Sequence, residues 1–394
     1  MTLSKLLILL LLNITSCSIQ AKLALIKVPV ADLISHHVAH FTSTQNTTDF
    51  YQNIAISPFR PGKDIASCPR QHQALFHELV DILEENQHEA RVHIFNAYYL
   101  NLKTKQRTGS FWTLKSNLIL LNQLGTNQHL IPKPINYHYP ARFEDHVITL
   151  LDSWFCEQTE ATYSAGTRFK VNPQTNASYI YQPDQNNFIQ VNIPKHLTLS
   201  YLERPANELR QLFINLIKNW ATPAGQNFIP YTWGGCSVIQ KIPVQHAELK
   251  QSGNLAYYAI PPFSNQTQTG LDCSGLVLRA AQTVGIPFFY KNTTTLANEL
   301  KPITAQDQIL PGDLIWISGH VIVIANPRTG LCIEARDYGH GYGKVHQVNI
   351  RKLFSGIKNF DQMKAAHLSG TPLTRIDQNG IIKGKYQIKL LKLI

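Results

Sequence analysis

Three side chains in the C-terminal half have the types and spacing for acyl-transfer chemistry. In "LDCSGLVLRAAQTVG" (271–285), Leu276, Val277, Ala280, Ala281 and Val284 recur at helical spacing, and Gly285 supplies a stop. Cys273 therefore heads a helix. Unpartnered N–H groups and the positive end of the helix dipole favour a thiolate there, so the spacing predicts a lowered pKa and a nucleophile that needs a base. "GHVIVIANPRTGLCIEAR" (319–336) reads as two strands joined by the "NPRTG" loop. Alternation puts His320, Ile322 and Ile324 on one face, and Cys332, Glu334 and Arg336 on one face of the partner strand. In a simple register His320 and Glu334 are neighbours. A carboxylate on one ring nitrogen fixes the tautomer and leaves the other nitrogen to take the thiol proton. The bland readings stand beside this one. A cysteine at a helix start is more often structural, and a strand histidine is more often simply packed.

These groups need elements to hold them. "LPGDLIWISG" precedes His320 as a turn and a strand. "RPANELRQLFINLIKNWATPAG" (204–225) carries Leu209, Leu212, Phe213, Leu216, Ile217 and Trp220 on one helical face, with Pro205 suited to its first turn. "FIPYTWGG" and a polar insertion at 236–270 separate that helix from the cysteine. Upstream, 91–200 alternates short β-branched and aromatic runs with Gly, Pro and Asn clusters, which predicts a small β-barrel or sandwich. Residues 17–90 read as a helical or irregular segment. Within it, Leu75, Phe76, Leu79, Ile82 and Leu83 of "CPRQHQALFHELVDILEENQ" (68–87) have helical spacing.

The 394 residues suffice for two or three domains. Lys5 followed by "LLILLLLNI" is a leader too short to span a bilayer, and "ITSC" after it has the pattern of a lipoprotein cleavage site. Residues 1–16 would then be removed and Cys17 would carry lipid; an ordinary secretory cut near Ala21 is the alternative. Either leader sends the chain out of the cytoplasm, to a periplasm or cell envelope. The formal charge of +11, or +10 without Lys5, favours an anionic envelope surface. The basic residues are scattered, which argues against a nucleic-acid partner. The only membrane contact implied is the lipid anchor, and a monomer is expected. Cysteines 17, 68, 156, 236, 273 and 332 leave four for disulfides if the first is lipidated and Cys273 stays a thiol. Three pairings are open, as are four free thiols. No HExxH or paired-ligand spacing calls for a metal, and no cofactor is implied.

Taken in order, "PYTWGG", "LDCSGLV", "LPGDLIWISGHVIVI" and "CIEA" resemble the NlpC family of papain-like bacterial cell-wall cysteine peptidases, over roughly 205–350. The region with "FWTLKSNL" and "AGTRFKV…YIYQPDQNNFIQVNIPK" is similar, more loosely, to the bacterial SH3-like domains that precede this domain in multi-domain members. The resemblance implies an α+β fold. A papain-like catalytic domain at 204–394 would follow one or two SH3-like barrels at 91–200 and the N-terminal helical segment. It implies hydrolysis of peptidoglycan stem peptides or muropeptides, typically between γ-D-glutamate and the diamino acid. Cys273 would be nucleophile and His320 base. Tyr231, Asp272 and Ser274 match positions that line the substrate pocket and receive a free L-alanine amine. The family's third catalytic position is usually histidine. Here Glu334 aligns with it, His340 is the second candidate and Asp337 the third. Rival readings are an inactive wall-binding protein, a thiol acyltransferase on the same scaffold, and a basic nucleic-acid binder.

Overall fold

A computed structural model describes residues 22–43, 45–57, 68–138, 144–221, 227–239, 242–243, 248–252, 255–259, 267–338, 342–377 and 379–394. The leader, Cys17 and His340 lie outside the described residues.

The chain opens on β structure. A seven-stranded sheet runs from edge to edge through Arg70–Leu75, Val30–Ile34, Ser110–Leu114, Glu89–Ile94, Leu79–Glu85, Lys22–Ile26 and Leu118–Leu120. The helix expected over 68–87 is therefore two strands, and the boundary expected at 90/91 falls inside the strand Glu89–Ile94. The physical reason is that the apolar positions serve different neighbours. Phe76 and Leu79 pack into the core of the next β unit, Ile82 packs against the main core, and Leu83 is exposed. Between the two strands His77 adopts φ 66°, a left-handed conformation that breaks any helix. The one α-helix among the described residues before 91 is Thr47–Gln52.

A second β unit follows, with a three-stranded sheet (Arg168–Lys170, Val147–Leu150, Thr198–Ser200) and two separate hairpins, Trp154–Cys156 with Ala161–Tyr163 and Ser178–Gln182 with Asn187–Val191. Its core of Cys156, Tyr163, Phe169, Ile180 and Val191 closes over Leu25, Phe76 and Leu124 of the first unit.

The C-terminal half is a five-stranded antiparallel sheet in the order Lys344–Asn349, Leu331–Arg336, His320–Asn326, Leu314–Ile317, Ile388–Leu391. Its two faces read out the alternation. Val321, Val323, Ile333 and Ala335 share a core with the helices Ala206–Trp220 and Cys273–Val284. Ile322, Ile324 and Cys332 pack on the other face, against the helix Phe360–Ser369. The first of these cores also holds Ala24, Ala31, Val80, Val92 and Phe111, so the first β unit and the C-terminal domain fold around one continuous apolar cluster. That explains why the helix Cys273–Val284 is buried on every side, including Arg279, Gln282 and Thr283. Among the described residues, no helix is long and apolar enough to cross a membrane.

Candidate active site

Two local devices fix the cysteine. Asp272 is the N-cap of the helix, with Oδ1 accepting from the Gly275 N–H (2.5 Å) and the Ser274 hydroxyl (2.8 Å). Gly285 closes the helix at φ 91°. The glycines of "WGG" and "DCSG" pack backbone against backbone, since a Cβ on Gly275 would lie 2.0 Å from the Gly235 carbonyl oxygen. The helix head is thereby pressed onto the "TWGG" turn.

Cys273 is a free thiol, 8% exposed; Cys68, Cys156, Cys236 and Cys332 are free as well, so none of the open pairings forms among the described residues. Its sulfur accepts hydrogen bonds from the Ser274 N–H and the Val321 N–H, the second being the peptide that follows His320. The thiol therefore sits at the head of the strand that starts with the imidazole. Its pKa is not lowered, as the helix position predicted, but pushed up to about 12. Burial is the larger cause and the adjacent Asp272 carboxylate the next; the two N–H bonds and the Lys291 ammonium oppose them without prevailing.

His320 Nε2 lies 2.7 Å from Glu334 Oε2. An ionised carboxylate only accepts, so Nε2 carries the proton and Nδ1 holds the lone pair. The two residues sit diagonally across the pairing of His320–Asn326 with Leu331–Arg336. Glu334 is completely buried, and the same oxygen accepts from Arg375 Nη2 at 2.9 Å. Its other oxygen faces His346 Nε2 at 3.2 Å and Arg336 Nη1 at 3.6 Å. Burial would raise this carboxyl, but Arg375 and Arg336, with His320, hold it well below the usual carboxylate range. Burial also lowers the His320 pKa, Glu334 raises it, and the two arginines lower it further, so the ring rests neutral. Thiol and imidazole thus both rest uncharged at neutral pH.

A cleft of about 260 Å³ opens over Cys273. The C-terminal domain lines it with Tyr231, Asp272, Ser274 and Lys291, and the first β unit adds Arg70, Gln71 and Tyr99. Arg70 is held by Asp32 through Nε (2.7 Å) and Nη2 (2.9 Å). Tyr231 is kept a neutral phenol, first by burial and then by the neighbouring Cys273 and Asp272. Asp272 Oδ2, expected to face a substrate amine, is 2.6 Å from the Lys291 ammonium. Asp337 lies outside the contacts made by Glu334. Reasoning from sequence missed Lys291, Arg375, His346 and the three first-unit residues. None of them belongs to a motif, and only the tertiary fold brings them to the site.

The NlpC/P60 family model matches residues 229–361. Among solved structures, the chain is similar to an NlpC/P60 family protein from Bacillus cereus ATCC 10987. The identity is 14% and the TM-score 0.50, over 83% of this chain and 94% of that one. It is also similar to the peptidoglycan hydrolase RipB of Mycobacterium tuberculosis, at 25% identity and a TM-score of 0.24, over 40% of this chain and 66% of that one. A third is NlpC2 of Trichomonas vaginalis, at 13% identity and a TM-score of 0.30, over 84% and 94%. No curated protein matches. Arg375 lies beyond the family-matched region.

Proposed function

We propose, from the premise that residues 229–361 of this chain are an NlpC/P60 family domain, that the protein is a cysteine hydrolase of peptidoglycan stem peptides. The bond we assign is the one between γ-D-glutamate and the diamino acid. The observation that carries the reading is the free Cys273 thiol bonded by the N–H of Val321, the residue that follows a His320 whose Nε2 is tied to Glu334.

The reaction follows from those contacts. Nδ1 of His320 takes the proton of Cys273, and the sulfur attacks the amide carbonyl as the charge leaves the thiol. The N–H of Cys273, at the first helical position with no intrahelical acceptor, stabilises the oxyanion. The imidazolium is stabilised by Glu334 and then protonates the departing amine, leaving a thioester. Water, deprotonated by His320, hydrolyses the thioester and restores the thiol. Tyr231 and Ser274 contact the stem in the cleft.

The β-rich region over 91–200 is read as SH3-like, and the first β unit brings Arg70, Gln71 and Tyr99 to the cleft rim. The leader and Cys17 are read as an export signal and lipid attachment point, which would hold the enzyme at the cell envelope. The test is digestion of defined stem peptides by purified protein, with products identified by mass. Hydrolysis gives two fragments that sum to the substrate plus one water; acyl transfer to an added amine, or inactivity, would refute it. Cys273→Ala must abolish cleavage.

A further inference from the structure

One cation in the cleft is bonded to neither the thiol nor the imidazole. Lys291 follows the nucleophile helix and is 1% exposed. Its Nζ lies 2.6 Å from Asp272 Oδ2 and 3.5 Å from the Gly235 carbonyl oxygen. The other oxygen of Asp272 is taken by the Gly275 N–H and the Ser274 hydroxyl. The carboxylate next to the nucleophile is therefore engaged on both oxygens by groups of the chain itself, one of them a full positive charge. The only other charged residue described as lining the cleft is Arg70, which is already neutralised by Asp32 behind it. An arriving ammonium would meet two cation–carboxylate pairs and no lining carboxylate left to receive it. Lys291 and Asp272 are themselves almost wholly out of solvent, so such like-charge contact is unfavourable.

This bears on which stem the cleft accepts, and it rests on the hydrolase reading. We propose that Lys291 is a specificity-determining residue that occupies the place of a cationic ligand on Asp272. The cleft then rejects stems with a free N-terminal ammonium and accepts stems whose L-alanine nitrogen is acylated. Chemically these are stems still joined through that amide to the lactyl group of the glycan. An amide nitrogen is neutral and brings one N–H donor, which a cleft rich in phenol and amide oxygens can meet without a counter-charge. Asp272 becomes a positioning residue that caps the helix and holds Lys291, in place of the amine receptor the family resemblance implies.

The experiment compares kcat/KM of the purified protein on three forms of one diamino-acid stem: free amine, N-acetyl and N-muramyl. Both acylated forms should exceed the free-amine stem by about tenfold or more, the size of a buried like-charge contact in part relieved by solvent. Lys291→Met should pull that ratio toward one, because Asp272 then offers an unpaired carboxylate to an ammonium. If that variant does not fold, by circular dichroism and thermal melting, the wild-type ratio alone decides. A wild-type protein that cuts the free-amine stem as fast as the acylated ones overturns the inference and leaves the hydrolase reading intact. Cleavage of none of the three overturns both.

Discussion

Cys273 is pulled two ways, by a helix end that favours a thiolate and by surroundings that disfavour it. With the sulfur nearly out of solvent and the Asp272 carboxylate adjacent, the thiol is pushed up to about 12. Alkylation of Cys273 by iodoacetamide, followed by mass spectrometry, should therefore accelerate steadily through pH 9. A plateau reached near neutral pH would show an ion pair in place of the neutral one. A second residue-scale prediction concerns Arg375, which donates to the Glu334 oxygen that also holds His320. Arg375→Met leaves a buried carboxylate short of one partner and should cost up to about 3 kcal/mol of stability. It should lower kcat roughly tenfold to hundredfold, a fraction of a general base's contribution, with little change in KM. It also removes a cation that depresses the His320 pKa. Catalysis needs the neutral ring, so the acid limb of kcat/KM should move to higher pH. Arg375→Lys should restore part of both effects, and an unmoved acid limb would reduce Arg375 to a packing role.

At the scale of the element, the nucleophile helix is set by how closely its first turn meets a neighbouring backbone. The 2.0 Å that would separate a Gly275 Cβ from the Gly235 oxygen cannot be absorbed by a side-chain shift, since both partners are backbone. Gly275→Ala should cost about 1–3 kcal/mol or more by overpacking, seen as a fall in the urea midpoint. Because the strain displaces Cys273 from the Val321 N–H, activity should fall further than the folded fraction. Retained activity and midpoint would mean the helix head is free to move. The strand Arg70–Leu75 teaches the complementary lesson. Its buried Arg70 and His72 and the turn at His77 follow from the walls around them, and the helical spacing of its apolar residues pointed to the wrong element.

Across the whole molecule, folding buries histidines that the unfolded chain exposes. His72 lies well below its ordinary value and His77 is lowered to about 3, each chiefly by burial. His320 is lowered too. Folded-state values below the unfolded 6.5 mean that the unfolded chain takes up protons which the folded chain refuses. The stabilisation is complete above about pH 6.5 and drains away as pH falls below it, at about 1.4 kcal/mol per unit for each ring until its folded value is reached. Glu334, also held low, adds to the loss below about pH 4.5. Urea midpoints should fall continuously from pH 7 to pH 4, and a flat profile over that range would contradict the burial of these rings.

Local structure was legible in the sequence. The helix behind Cys273, the hairpin that carries His320 and Glu334, and the amphipathic helix Ala206–Trp220 all follow from periodicity and from glycines at turns, which act over a few residues. The contact of His320 with Glu334 could be read because strand alternation and a short loop leave little freedom of register. The direction of the Cys273 pKa was not legible, since burial is decided by elements far away in the chain. Nor were Lys291 on Asp272, Arg375 on Glu334 or the β-unit wall of the cleft. Each depends on packing between segments up to two hundred residues apart, and a charge signals its partner only once the fold has excluded the water between them.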